Sequence, residues 1–86
     1  MSNLSTGYKV STRQISKRAD AVIGLAAELM GDTSVEAGWD FFDSMKDHAK
    51  SIKVNANKNG YGDSSQYGAL ENMWEGLMKW VDAPAY

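Results

Sequence analysis

The feature that most constrains this chain is a series of apolar residues at helical spacing between positions 33 and 53. At about 100° per residue these side chains share one face of a helix, and acidic residues occupy the opposite face. The apolar set is Val35, Trp39, Phe42, Met45, Ala49 and Ile52. The pattern predicts an amphipathic helix over residues 34–53, and we expect the other elements to pack around it.

Two further segments carry the same period. Ser11 followed by Gln14 fits a capping box and predicts a helix over residues 12–30, with Gly31 ending it in a left-handed conformation. A third apolar stripe predicts a helix over residues 64–82, which Asp63 or Ser64 caps.

The connections between these segments predict how the helices are arranged. Thr33 with Glu36 fits a second capping box, so the first two helices are joined by a very short connection and should be antiparallel neighbours. The fold class is therefore all-α, an antiparallel three-helix bundle. We expect a flexible N-terminal arm over 1–10, with a short strand over 8–10 as an alternative, a helical domain over 11–83 and a tail over 84–86.

Composition limits the size of the fold, the kinds of cross-link or metal site it can have, and the expected cellular compartment. The 86 residues suit one domain with a small core, and the absence of cysteine excludes disulfides and thiolate metal sites. The first residues contain no apolar run typical of a signal peptide, and no segment has the roughly 20 apolar residues that span a bilayer. We expect a cytoplasmic protein with no membrane contact.

Catalytic chemistry has little support in the sequence. His48 is the only histidine, and no serine lies in a nucleophile motif. A phosphate-binding glycine loop and the Glu-x-x-His pattern of bundle metal sites are also absent. We therefore expect no catalytic residues, no cofactor, no metal and no enzymatic activity.

Residues 55–66 resemble an EF-hand calcium loop, with oxygen-bearing side chains at positions 1, 3, 5 and 9 and Gly60 at position 6. The first and twelfth positions are Asn55 and Gln66, where a calcium loop has acids, and only Asp63 is negative. Because calcium affinity depends on ligand charge, a turn between helices explains these residues better.

Charge is distributed unevenly along the predicted helices. Acidic residues follow successive turns of the second helix opposite its apolar face, at Glu36, Asp40, Asp43 and Asp47. Lys46 and Lys50 are spaced to neutralise part of this face, and a solvated helix surface explains the pattern without any function. Basic residues collect at the start of the first helix and the end of the second, at Arg13, Lys17, Arg18, Lys50, Lys53 and Lys58.

These features favour a small protein-interaction module. A carboxylate on each helical turn is spaced to enter a cationic groove made for a phosphate backbone, and Phe41 and Trp80 are candidate apolar contacts at its rim. The sequence thus predicts a regulator or inhibitor, of the kind known from prokaryotes and phages, that binds a larger nucleic-acid-handling complex through an acidic surface.

Two alternatives remain open at this point. The basic residues, with Tyr61 and Tyr67 nearby, suit a nucleic-acid binder that contacts phosphates and stacks on bases. The number of aromatic and methionine residues is high for so small a core, which also suits a homodimer or a self-assembling structural subunit.

Overall fold

A computed structural model describes residues 8–81. It confirms an all-α three-helix bundle. The elements in chain order are β1 (Lys9–Val10), α1 (Thr12–Met30), a 3-10 helix (Thr33–Gly38), α2 (Trp39–Asn59), β2 (Gly62–Asp63) and α3 (Ser64–Val81). No helix in this part of the chain is long and apolar enough to cross a membrane.

The core is organised around α1, so the expectation that the second helix is central is wrong. Helix α1 packs along both α2 and α3, whereas α2 and α3 meet at few positions. The fully buried Ala19 and Ala26 make this arrangement possible, because their small side chains let neighbouring helices approach closely. The largest fully buried side chains come from all three helices: Phe42, Ile15, Leu70, Leu77 and Val22.

A two-stranded antiparallel ladder fixes where α1 and α3 begin. Lys9 pairs with Asp63 and Val10 pairs with Gly62, and Val10 is buried. Because β1 precedes α1 and β2 precedes α3, the ladder holds the starts of both helices together. Within the predicted arm, the described residues thus include a paired strand; residues 1–7 and the predicted tail lie outside the described part of the chain.

The first helix begins as its capping residue predicts but ends differently. The Gln14 N–H donates to Ser11 Oγ over 3.2 Å at the start of α1. Gly31, however, has φ −88° and ψ −3°, so the left-handed conformation predicted for it is wrong. Its N–H donates to the Glu28 carbonyl oxygen over 3.1 Å, so the chain continues in a tight right-handed turn.

The second helix begins at Trp39, five residues later than predicted, because Thr33–Gly38 forms a 3-10 helix. The cap is Asp32, which accepts hydrogen bonds from the Ser34 N–H at 2.9 Å and hydroxyl at 2.7 Å, so the Thr33–Glu36 capping box is wrong. The Trp39 indole N–H lies 3.2 Å from the carbonyl oxygens of both Leu29 and Asp32, and it satisfies acceptors at the end of α1.

The second helix also continues to Asn59, beyond its predicted end at 53. Ala56 is fully buried and extends the apolar face, and Gly60, at φ 85°, supplies the left-handed end. Most of the calcium-like segment 55–66 is therefore helix, and the predicted turn between helices is confined to residues 60–63. Its last residues instead form a capping box for α3, in which the Gln66 N–H donates to Asp63 Oδ1 (2.8 Å) and the Asp63 N–H donates to Gln66 Oε1 (3.1 Å).

Candidate protein-binding surfaces

Asp40, Asp43 and Asp47 lie on successive turns of α2 and are exposed; we call them the acidic stripe. The expected i,i+3 pairing with Lys46 and Lys50 is not formed. Among residues 8–81 the only ion pair joins Lys53 Nζ to Asp20 Oδ1 over 2.7 Å. The carboxylates of the stripe are therefore available to another molecule without breaking an ion pair within the described part of the chain.

The other residues predicted for protein binding lie elsewhere. Glu36 is exposed on the 3-10 helix that precedes α2, so it belongs to a different element from the acidic stripe. Phe41 is two residues from Asp43 and points about 200° away around α2, toward α3, where its ring lies against Gly76. Trp80 is half-buried and packs edge-on against the Phe42 ring, with centroids 5.3 Å apart. The predicted set is thus divided, because Phe41 and Trp80 lie at the contact with α3, away from the acidic stripe.

A groove of about 380 Å³, here called the lysine groove, lies between α1 and α2. It is lined by Ile23, Lys46, Lys50, Lys53, Val54 and Asn57. Arg18 on α1 and Phe41 on α2 both contact α3. Ile23 lies about 140° around the α1 axis from Arg18, and Lys50 lies about 180° around the α2 axis from Phe41. The lysine groove is therefore on the side of the α1–α2 hairpin that α3 leaves uncovered.

A second groove, the tyrosine groove, has a volume of about 300 Å³ and lies between α1 and α3. Its lining includes Gln14, Lys17, Arg18 and Tyr67. The Arg18 guanidinium lies 5.6 Å from the Tyr67 ring centroid, and Nη2 donates to the Tyr67 hydroxyl over 3.4 Å. This hydrogen bond raises the pKa of Arg18.

The basic residues predicted for nucleic-acid binding are divided by α1. Lys17 and Arg18 line the tyrosine groove, whereas Lys50 and Lys53 line the lysine groove on the other side. Arg13 and Lys58 are exposed. Sequence reasoning missed a further cation–aromatic contact near the ladder, in which Lys9 Nζ lies 4.6 Å from the Tyr61 ring centroid. The ladder pairs Lys9 with Asp63, two residues after Tyr61. The sequence predicts the strand over 8–10 as an alternative, but no local signal predicts its pairing with residues 62–63.

Neither groove has the composition of a metal centre. In the described part of the chain, no three His, Asp or Glu side chains come close enough to hold an ion, and His48 is exposed on α2. Comparisons with protein-family models, curated proteins and solved structures each found no match for this chain. The assignment of function therefore depends on the surfaces described above.

Proposed function

We propose that this chain is a cytoplasmic, non-enzymatic protein-binding module that presents the acidic stripe to a basic groove on a larger nucleic-acid-handling protein. The observation that supports this most is the exposure of Asp40, Asp43 and Asp47 without an ion pair in the described residues. A partner with a cationic groove gains three carboxylates and breaks no ion pair among residues 8–81.

The packing of α2 against the core also supports this role for the acidic stripe. Buried Phe42, Ala49 and Ile52 hold the opposite side of α2 against the core, so the carboxylates project from a fixed backbone. Fixing the backbone before binding reduces the conformational entropy lost on association. The stripe has one carboxylate per turn, about 5 to 6 Å apart along the helix, which suits a groove shaped for regularly spaced phosphates.

By occupying the partner's nucleic-acid groove, this chain inhibits or regulates the partner. Small prokaryotic or phage inhibitors act in the same way. Complementary charge speeds association and excludes partners with acidic surfaces more than it adds affinity. Binding should therefore weaken as salt is increased.

An affinity capture from a bacterial lysate tests this proposal. The lysate is divided into nuclease-treated and untreated halves, and the wild type is compared with the Asp40→Lys/Asp43→Lys/Asp47→Lys variant. We expect the wild type to retain a nucleic-acid-binding protein in both halves and the variant to lose it. Equal capture by the two proteins would contradict the proposal.

A second candidate function, nucleic-acid binding, is favoured by the tyrosine groove. Arg18 lies over Tyr67 beside exposed Lys17, and the nearby Tyr8 is 73% exposed. Cations next to aromatic rings are the means by which single-strand binders hold phosphates and stack on bases. This function predicts salt-sensitive binding of a single-stranded oligonucleotide that weakens in Lys17→Ala and is insensitive to changes in the acidic stripe. No binding at low salt would exclude it.

A further inference from the structure

Five positions of α2 form a single line that the bundle leaves uncovered. They alternate at spacings of four and three residues, the spacing of a coiled-coil seam. They are Asp43, Asp47, Lys50, Val54 and Asn57. All five are exposed, and Val54, an apolar residue, is 56% exposed. This line, here called the seam, runs from the acidic stripe into the lysine groove.

Charge along the seam is asymmetric. Of its charged members, Asp43 and Asp47 lie in the first half of α2 and Lys50 lies in the second; beside the seam, Lys46 lies in the first half, and Lys53 and Lys58 lie in the second. When two copies of such a helix run antiparallel across a twofold axis, the acidic half of each faces the basic half of the other. The seam is therefore complementary to itself in one orientation only, because a parallel arrangement places like charges together.

We propose that the uncovered face of the α1–α2 hairpin binds a second copy of this chain, with the two α2 helices antiparallel and Asp47 opposite Lys50 of the second copy. In this register Asp43 of one copy lies opposite Val54 of the other, and Val54 with Ile23 in the lysine groove supplies the apolar contact. Lys53 keeps its internal ion pair with Asp20, so pairing breaks no ion pair among residues 8–81.

The available area predicts a reversible dimer. Helix α2 has 21 residues, so the face is about 30 Å long, and two neighbouring helices are about 20 Å wide. The area covered is thus about 600 Å² per copy, less than the roughly 800 Å² of a typical stable complex. Charge complementarity then decides whether the copies associate, and dimerisation should weaken as salt is increased.

Sedimentation velocity of the purified chain over a range of concentrations, at low and high salt, tests the proposal without any other partner. One variant, Asp43→Lys/Asp47→Lys, leaves only basic residues at the charged positions of the seam. Another, Lys46→Glu/Lys50→Glu, leaves only acidic residues at those positions and also reverses the neighbouring Lys46. We expect each variant alone to dimerise at least about tenfold more weakly than the wild type, because like charges meet across the axis. An equal mixture of the two variants should form a dimer, which also shows that both remain folded.

A cross-link tests the register. The chain has no native cysteine, so a mixture of Asp47→Cys and Lys50→Cys chains should form a disulfide between copies under mild oxidation, because paired residues then lie within bonding distance. A mixture of Asp47→Cys with Glu71→Cys on α3 is the matched control and should remain uncoupled.

A wild-type chain that stays monomeric at high concentration and low salt would overturn the proposal. So would a dimer that both charge variants form as well as the wild type, since it would use another face. Because the proposed partner is absent from these measurements, their outcome is independent of the capture experiment. If both proposals hold, the dimer covers Asp43 and Asp47, and self-association competes with partner binding.

Discussion

At the scale of single residues, close packing at Gly38 sets the junction between α2 and α3. A Cβ atom at this position would lie 2.7 Å from Phe42 Cζ and 3.0 Å from two ring carbons of Trp80. Because Phe42 is fully buried and packs against Trp80, neither ring can move without disturbing the core. We expect Gly38→Ala to lower the free energy of unfolding by about 1 to 3 kcal/mol, as measured by urea denaturation.

Gly24 on α1 provides the matched control. No atom lies within 4 Å of the Cβ that alanine would add there, and the residue is exposed within a helix. Gly24→Ala should therefore raise the free energy of unfolding by about 0.5 to 1 kcal/mol. A Gly38→Ala variant as stable as Gly24→Ala would show that the Phe42–Trp80 contact is not tightly packed.

At the same scale, the cap formed by Asp32 should make the free energy of unfolding depend on pH. Two hydrogen bonds lower the pKa of Asp32 from its ordinary value of 3.8. The larger effect comes from the Ser34 hydroxyl and the smaller from the Ser34 N–H. Its contribution to stability is therefore present above 3.8 and is lost as the pH falls through the lower pKa of the folded state. Asp32→Asn retains a capping side chain but cannot titrate.

Urea unfolding from neutral pH to below 3.8 measures this contribution. We expect the stability difference between wild type and Asp32→Asn to be constant at neutral pH and to change as the pH falls through the lowered pKa. A difference that is independent of pH throughout this range would contradict the role assigned to Asp32.

At the scale of elements, α3 depends on its reciprocal cap. Asp63 accepts from the Gln66 N–H, and its own N–H donates to the Gln66 side chain. We expect Asp63→Ala to lower the free energy of unfolding by about 1 kcal/mol. Ser65→Ala, at an exposed position in the first turn of α3, should have little effect in the same denaturation experiment. Equal effects of the two substitutions would refute the capping role.

The elements also show what local sequence determines. The start of α1 was predictable because Ser11 caps it through a contact three residues away. The start of α2 was not, because Trp39 fixes it by donating to the Leu29 carbonyl ten residues earlier. Its end was misplaced because the Asn-rich sequence favours a turn, whereas burial of Ala56 favours another turn of helix.

At the scale of the whole molecule, the rotation of each helix decides which predicted residues meet. Sequence spacing placed Asp40, Asp43 and Asp47 on one face of α2, and they do share it. It could not indicate that α3 packs on the side of Phe41, because rotation about a helix axis is fixed by contacts distant in sequence. The predicted site therefore combines residues that the fold separates, because Phe41 lies toward α3 and Trp80 belongs to α3, away from the acidic stripe.

The claim that function resides in the acidic stripe, and not in overall charge, is tested most directly by two charge-matched variants. Asp40→Asn/Asp43→Asn/Asp47→Asn neutralises the stripe, and Glu28→Gln/Glu71→Gln/Glu75→Gln neutralises three exposed acids on α1 and α3. Both raise the net charge of −2 by the same amount. Quantitative capture of the partner from nuclease-treated lysate should be lost in the first variant and retained in the second. Equal loss in both variants, or no loss in either, would contradict the account.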